Sequence, residues 1–266
     1  MIASFITAIR TLTIFPVPGK DTNDFSASIK WFSLIGFILG AFMFAIVILL
    51  KPFSGFLSAE VLAIFLVLAI TVMTRGLHLD GLADWADGFL GNIHKERTLA
   101  IMKDPHVGTF GIVALFILLM MKWVFFKRLI VEDLEFLIIG PYVISRTAMA
   151  SLSVLYNYGG DQDGLGKSFI ANAKRSNLYF ALTITVVLLS FLYGVSGILL
   201  FGTALIFERV LGYWFARKLG GVTGDLLGAA CEISETAFLF IFFIVMKYAL
   251  EILPGTVVNF GVSVYF

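Results

Sequence analysis

The chain has 266 residues, of which 59% are hydrophobic and 14% charged, and its net charge is +1. This composition excludes an ordinary soluble domain, whose surface must be largely polar, and predicts an integral membrane protein. The small net charge argues against a nucleic-acid partner bound through bulk electrostatics. Because Cys231 is the only cysteine, an intrachain disulfide framework and a cysteine-based zinc site are excluded as well.

The N-terminal segment predicts a short helix in the membrane interface. Its apolar residues are interrupted by Arg10 and end at Pro16 and Pro18. A cleaved signal peptide would instead have a basic start followed by an uninterrupted apolar core.

Seven apolar segments approach the ~20 residues that a helix needs to cross a bilayer. They are Trp31–Leu50, Glu60–Thr74, Ile112–Leu129, Phe136–Leu155, Leu178–Tyr193, Ile198–Trp214 and Ala237–Leu253. The sequence therefore predicts an all-α fold, a polytopic membrane helix bundle of about seven transmembrane helices, in one domain over residues 1–266. Gly140-Pro141 predicts a kink in the fourth span.

The basic residues predict the orientation of the bundle. With the N-terminus in the cytoplasm, twelve of them fall in inner segments, and only Lys51, Lys127 and Arg128 fall in outer ones. This is the bias of the positive-inside rule. The same topology brings the polar, glycine-rich segments 75–111, 156–177 and 217–235 together on the cytoplasmic face of the membrane.

The stretch Arg75–Gly91 carries three carboxylates, those of Asp80, Asp84 and Asp87. On a helix these spacings place all three within an arc of roughly 60°. Like charges at such short range repel each other unless a cation neutralises them. We interpret the cluster as a site for Mg²⁺, which prefers hard oxygen ligands. The alternative interpretation is an acidic, solvated helix end at the membrane surface.

The segment 217–235 is the second source of acidic ligands, with Asp225, Glu232 and Glu235. Its GGVTGD motif could hold phosphate oxygens with backbone N–H groups, and Asp225 could add a metal ligand. The residues of this motif predicted to bind substrate are Gly221, Thr223 and Gly224. Glycine pairs are also common in ordinary turns, so the motif by itself is weak evidence.

Basic residues suited to phosphate lie in the remaining polar segments and in one span. Arg97 and Lys103, beside Asp104, are candidates in the segment 92–111, and Arg75 is a further one. The alternative is that they meet anionic lipid at the cytoplasmic surface. Arg146 lies within a span, so it needs the acidic site or a substrate phosphate as its partner.

His78 lies two residues before Asp80 and faces away from it on a helix. It could act as a general base if the helix unwinds at Gly76 or Gly81. The simpler interpretation is a hydrogen-bonded structural histidine.

Together, these residues predict a Mg²⁺-dependent membrane enzyme that acts on a phosphate-bearing substrate. Asp84-x-x-Asp87-Gly88 also resembles the first half of the CDP-alcohol phosphotransferase signature, but the Ala-Arg that follows in that signature is absent. An ion-coupled transporter is the other alternative, since it too would contain intramembrane charge and glycine-broken spans.

Four blocks of sequence resemble those of the cobalamin synthase family, the adenosylcobinamide-GDP ribazoletransferases. They are LHLDGLADWADG at 77–88, IMKDPHVGTFG at 101–111, SRTAMA at 145–150 and LGGVTGDLLGAA at 219–230, with Glu235 beyond. The resemblance implies the last step in assembling the cobalamin nucleotide loop, in which adenosylcobinamide-GDP reacts with α-ribazole, or its 5′-phosphate, and GMP is released.

The resemblance also implies roles for the candidate residues. Asp80, Asp84, Asp87 and Asp225 would hold Mg²⁺, and Asp84 and Asp87 would be catalytic. Further residues would bind substrate, namely Arg75, His78, Arg97, Lys103, Asp104, Arg146, Gly221, Thr223, Gly224 and Glu235. The expected partners are the two substrates and the lipid bilayer, and homo-oligomer formation is left open.

Overall fold

The computed structural model describes residues 1–53, 56–91, 94–161 and 164–252. Ten α-helices occur in these ranges: α1 Ile2–Leu12, α2 Phe32–Leu50, α3 Ala59–Met73, α4 Leu77–Leu90, α5 Lys95–Met102, α6 Thr109–Val131, α7 Ile139–Leu155, α8 Leu165–Ile170, α9 Arg175–Leu219 and α10 Gly224–Ile252. Short 3₁₀ helices cover Phe25–Trp31, Lys51–Phe53 and Glu135–Ile138. The described residues form no β-strand, which confirms the all-α prediction.

Among the described residues, and with α9 counted once, five helical segments are long and apolar enough to cross a membrane. They are Phe25–Phe53, Thr109–Val131, Glu135–Leu155, Arg175–Leu219 and Gly224–Val245. The pair α3 and α4 raises the number to six if it counts as one span, although the two helices meet at 90°. The polytopic membrane bundle is confirmed, and the count of seven stays a prediction. Leu253, the end of the last predicted span, lies outside the described residues.

Helix α9 reverses direction at Gly194, whose backbone leaves the helical region with φ 59° and ψ −137°. Before this point, Tyr193 lies at the beginning of α7. Its hydroxyl donates a hydrogen bond to the carbonyl oxygen of Phe136 and accepts one from the backbone N–H of Gly140. After this point, Arg209 lies at the other end of α7, where its carbonyl oxygen accepts a hydrogen bond from the hydroxyl of Tyr156. The 45 residues of α9 are therefore two helices joined by a tight turn, at the place where the sequence predicts one.

Helix α7 is the centre of the bundle, since every residue from Ile139 to Ser153 is buried. It packs closely on α2, because a Cβ atom on Gly40 would lie 2.8 Å from the Cα of Ile139. Small residues allow such close approach of membrane helices. Pro141 lies in the first turn of α7, where its missing N–H breaks no helical hydrogen bond. The 3₁₀ helix Glu135–Ile138 runs directly into α7 two residues before Pro141, and the predicted kink at Gly140-Pro141 stays a prediction.

The segment 217–235 is also more helical than its glycines suggest. Helix α10 begins at Gly224, so Asp225, Glu232 and Glu235 all lie on it. The acidic residues of this segment are consequently held by a rigid element.

Candidate active site

The acidic helix α4 is set at a right angle to α3 by the residues between them. Arg75 and Gly76 both have left-handed backbones, with φ of 56° and 64°. Such a conformation is unfavourable for arginine and needs support from its surroundings. Arg75 receives it by donating hydrogen bonds from Nη2 to the carbonyl oxygens of Arg10 and Thr11, at 2.8 and 3.2 Å. Arg75 therefore ties the end of α1 to the start of α4.

Helix α4 packs on the beginning of α10 with almost no space between the two backbones. A Cβ atom on Gly81 would lie 2.5 Å from the carbonyl oxygen of Asp225, and one on Gly228 would lie 3.2 Å from the Cα of His78. Real Cβ atoms do not approach other atoms as closely as 2.5 Å, so position 81 admits only glycine in this arrangement. This contact places Asp225 beside the aspartates of α4.

The carboxylate of Asp84 is the most crowded of these charges. It is half-buried and lies within electrostatic reach of Asp225, Asp80 and Asp87. Asp225 is also half-buried, and it is influenced by Asp80 and by the positive charge of Lys103. Mutual repulsion in a partly dehydrated place favours the binding of a cation.

The donor set fits Mg²⁺ in chemistry, since all of its oxygens are hard ligands. In the described part of the chain, no three His, Cys, Asp or Glu side chains converge closely enough to hold an ion by themselves. Mg²⁺ commonly binds through one or two carboxylates and completes its shell with substrate phosphates and water. The arrangement therefore fits a metal that binds together with a phosphate-bearing substrate.

Asp87 has a structural role that the sequence does not indicate, and its expected roles as metal ligand and catalytic residue stay predictions. Its two carboxylate oxygens accept hydrogen bonds from the backbone N–H groups of Gly108 and Gly111, at 2.7 and 2.9 Å. These N–H groups lie at the beginning of α6, where an anion is stabilised by the helix dipole. Asp87 therefore caps α6 and fixes it against α4. Asp87 also remains within electrostatic reach of Asp84, next to Asp80 and Asp225.

A cavity of about 270 Å³ opens beside Asp80 and Asp225. Its exposed lining includes Asp80, Lys103 and Leu165, which mark its mouth. Its buried lining is mainly apolar and consists of Leu12, Phe32, Leu99, Met102, Met149, Phe169 and Leu227, together with His78. The cavity thus joins a charged entrance to an apolar interior.

The glycine-rich segments 156–166 and 220–224 meet at the rim of this cavity. Val222 pairs with Tyr158 as an isolated parallel bridge, through hydrogen bonds from its N–H to Asn157 and from the N–H of Gly159 to its oxygen. A Cβ atom on Gly166 would lie 2.6 Å from the backbone nitrogen of Gly224. Three polar segments predicted to share one face therefore do converge, since Lys103 of the segment 92–111 lines the same cavity.

The residues of the GGVTGD motif have distinct positions. Thr223 accepts a hydrogen bond from the backbone N–H of Leu226 at 3.3 Å and so caps α10. Gly224 lines the cavity, whereas Gly221 packs under Asn157 and Gly159. Of the three predicted substrate-binding residues in this motif, Thr223 and Gly224 lie at the cavity, and Gly221 supports the loop beneath it.

The basic and acidic candidates on α5 and the loop after it are only partly at the cavity. Lys103 forms an ion pair with Asp161, and this hydrogen bond lowers the pKa of that carboxyl group. Asp104 is exposed and accepts hydrogen bonds from the backbone and the ring of His106, which lower its pKa. Arg97 is exposed and, like Asp104, is not among the residues that line the cavity.

Arg146 and Glu235 lie in the interior of the bundle and pair with each other. Glu235 also accepts a hydrogen bond from Lys122 at 2.7 Å, and Lys122 donates a second one to Glu232 at 2.6 Å. All four side chains are at most 3% exposed. The partner of Arg146 is therefore a carboxylate of α10, and neither a substrate phosphate nor the aspartate cluster. Sequence reasoning missed the partner role of Lys122, although a lysine within an apolar span was its available signal.

His78 is buried, as expected for a structural histidine, but it also lines the cavity. Its Nδ1 lies 3.5 Å from Sγ of Cys231 on α10. The side chain therefore reaches the interior end of the same cavity at whose mouth Asp80 lies.

Comparison with known proteins decides the family. The sequence profile described as cobalamin-5-phosphate synthase matches residues 4–243. The chain belongs to this family. Family membership confirms the resemblance drawn from the sequence blocks, and it makes the protein a membrane transferase of cobalamin biosynthesis. The CDP-alcohol and transporter alternatives are correspondingly disfavoured.

Several curated relatives carry the name adenosylcobinamide-GDP ribazoletransferase. One from Chlorobium phaeovibrioides is 40% identical over 238 residues, covering 88% of this chain and 94% of the relative. One from Chlorobium chlorochromatii is 40% identical over 242 residues, covering 89% and 94%. One from Klebsiella pneumoniae is 34% identical over 246 residues, covering 90% and 98%. No solved structure gives a significant match.

Proposed function

We propose that the protein transfers the adenosylcobinamide-phosphate group from adenosylcobinamide-GDP to α-ribazole, or to its 5′-phosphate, and releases GMP. A ribose hydroxyl oxygen of the acceptor forms a bond to the phosphorus atom next to cobinamide. The bond from that phosphorus to the bridging oxygen breaks, and the bridging oxygen leaves on GMP. The observation that supports this proposal is the backbone contact of Gly81 with Asp225, which joins α4 to α10 with Asp84 and Asp225 within electrostatic reach of each other.

The proposed metal is Mg²⁺, which one or two carboxylates among Asp80, Asp84 and Asp225 would hold together with phosphate oxygens of the substrate. When bound, it would offset the charge of the diphosphate and of the GMP leaving group. Asp87 acts indirectly in this scheme, since it fixes α4 to the beginning of α6.

The remaining residues of the mouth bind and orient the diphosphate. Lys103 lines the cavity and can exchange its partner Asp161 for a phosphate oxygen. Gly166 and Gly224 lie in close contact and offer backbone without side chains, which lets a phosphate approach the beginning of α10. One of the aspartates of the site is the proposed acceptor of the hydroxyl proton.

The direct test measures GMP release by the purified protein in lipid, with each substrate and Mg²⁺ omitted in turn. The proposal requires that release need the nucleotide donor, the acceptor and Mg²⁺ together. Release from the donor at the same rate without acceptor would indicate a hydrolase and would contradict the transfer.

The proposed location of this site is the cytoplasmic face of the inner membrane. Two lysines lie at the end of the bundle that holds the site. Lys103 lines the cavity, and Nζ of Lys95 lies 3.5 Å from a Cβ position on Gly220. Lys51 pairs with Asp133 at the other end of α6. Because the native Cys231 is buried, single cysteines at positions 96 and 133 can be labelled in intact cells. Labelling of position 133 alone by an impermeant thiol reagent would support the cytoplasmic location of the site. Labelling of position 96 alone would show that the site faces the opposite side of the membrane.

A further inference from the structure

The interior of the cavity differs from its mouth in chemistry. The buried lining residues come from seven helices, α1, α2, α4, α5, α7, α8 and α10, and are mostly aliphatic or aromatic. Phe32 and Phe169 contribute aromatic rings with an edge-on contact, their centroids 5.7 Å apart. The apolar interior of this cavity, whose total volume is about 270 Å³, suits a flat aromatic group better than a charged one.

One polar atom of a residue in the wall of this interior is buried and has no partner in the described chain. His78 is 1% exposed, and within the described chain its Nε2 has no hydrogen bond, whereas its Nδ1 lies 3.5 Å from Sγ of Cys231. A buried polar nitrogen without a partner is unfavourable and is commonly matched to a ligand. If the thiol of Cys231 donates to Nδ1, then Nε2 carries the ring proton and is a free donor.

We propose that this interior binds the heteroaromatic base of the acceptor nucleoside, and that Nε2 of His78 donates a hydrogen bond to the free ring nitrogen of that base. This inference rests on the proposed function, because it assigns the acceptor's place in the same site. A benzimidazole nucleoside has an apolar, flat base with one such nitrogen. With the base inside, its ribose lies towards the mouth, where Asp80 and Asp225 are.

The other parts of the substrates fit this interior less well. Guanine carries hydrogen-bonding groups on several edges, and burial against apolar walls would leave most of them unpaired. The corrinoid ring with its side chains is several times larger than a cavity of about 270 Å³. A lipid acyl chain would fill the space but would leave Nε2 of His78 without a partner.

The test measures binding of α-ribazole to the full-length protein in lipid nanodiscs, through the fluorescence of its base. His78→Phe keeps a ring but removes both nitrogens, and Leu99→Phe fills part of the cavity from α5. We expect each variant to weaken the binding of α-ribazole by about tenfold or more and to raise the KM for the acceptor. The KM for the nucleotide donor should stay the same. Thermal unfolding of each variant verifies the fold, and Leu99→Phe carries the test if His78→Phe does not fold.

Unchanged affinity for α-ribazole in a folded variant would overturn the inference. Displacement of α-ribazole by guanosine would overturn it as well, since the cavity would then belong to the donor. The proposed function is judged separately, by GMP release from the wild-type protein. If His78→Phe releases GMP normally with an unchanged KM for the acceptor, only the proposed base site is rejected. If the wild-type protein binds α-ribazole but releases no GMP, only the proposed transfer reaction is rejected.

Discussion

Gly81 and Asp225 meet backbone to backbone, with a Cβ position on Gly81 only 2.5 Å from the carbonyl oxygen of Asp225. The two residues are far apart in the sequence, and their contact brings the acidic helix α4 to the beginning of α10. Any side chain at position 81 must separate the two helices and with them the carboxylates of the site.

Gly81→Ala should therefore lower kcat for GMP release by about a hundredfold, because displacement of catalytic groups by about 1 Å has an effect of that size. Gly202→Ala is the matched control, since a Cβ atom at position 202 would contact nothing within 4 Å. Steady-state kinetics of the two variants in the same lipid gives the comparison. Equal activity of Gly81→Ala and Gly202→Ala would show that the close contact does not matter.

Asp87 and Asp84 should differ in their effects on stability. Asp87→Ala removes the cap of α6 and should lower the free energy of unfolding by about 1–2 kcal/mol. Asp84→Asn removes a charge from a cluster of like charges and should leave the stability of the metal-free protein the same or higher. Thermal unfolding in detergent without Mg²⁺ measures both effects, and a larger loss of stability in Asp84→Asn would reverse the two assignments.

The buried group of Arg146, Lys122, Glu232 and Glu235 should show strong coupling. Arg146→Met leaves the charges of the group unbalanced and should lower the free energy of unfolding by about 3–5 kcal/mol. Adding Glu235→Leu should restore much of this loss, because Lys122 and Glu232 still form a pair at 2.6 Å. A double-mutant cycle from unfolding curves tests the coupling, and additive effects would mean that Arg146 and Glu235 do not act as a pair.

The ion pair of Lys103 with Asp161 should compete with substrate. Lys103→Ala should raise the KM for the nucleotide donor by about tenfold through loss of a charge-assisted contact. Asp161→Asn should lower the same KM, since it frees Lys103 from its partner. The KM for α-ribazole serves as the internal control. If Asp161→Asn raised the KM for the donor, Asp161 itself would be part of the phosphate site.

The sequence predicted those parts of the site that depend on local periodicity. The spacing of Asp80 and Asp84 predicted that both residues lie on one helix, and both lie on α4. The family blocks identified the segment of Asp225, and the structure adds its contact with Gly81.

The remaining features depend on contacts between distant segments, which periodicity does not encode. The cap by Asp87 uses backbone N–H groups of residues 108 and 111, and a backbone donor has no sequence signature. That Arg146 pairs with Glu235 could not be predicted from the sequence, because the pair forms only where α7 packs on α10. The change from 3₁₀ helix to α-helix at Ile139 could not be located within a continuous apolar run.

The most direct single measurement is the Mg²⁺ dependence of GMP release in lipid, for the wild-type protein, Asp84→Asn and the control Asp133→Asn. Asp133 lies at the other end of α6, roughly 33 Å away by helix length, and asparagine tolerates its left-handed backbone, with φ of 55°. We predict Mg²⁺-dependent release by the wild-type protein and Asp133→Asn, and none by folded Asp84→Asn at any Mg²⁺ concentration. Full release by Asp84→Asn, or release by the wild-type protein that is independent of Mg²⁺, would contradict the proposed active site.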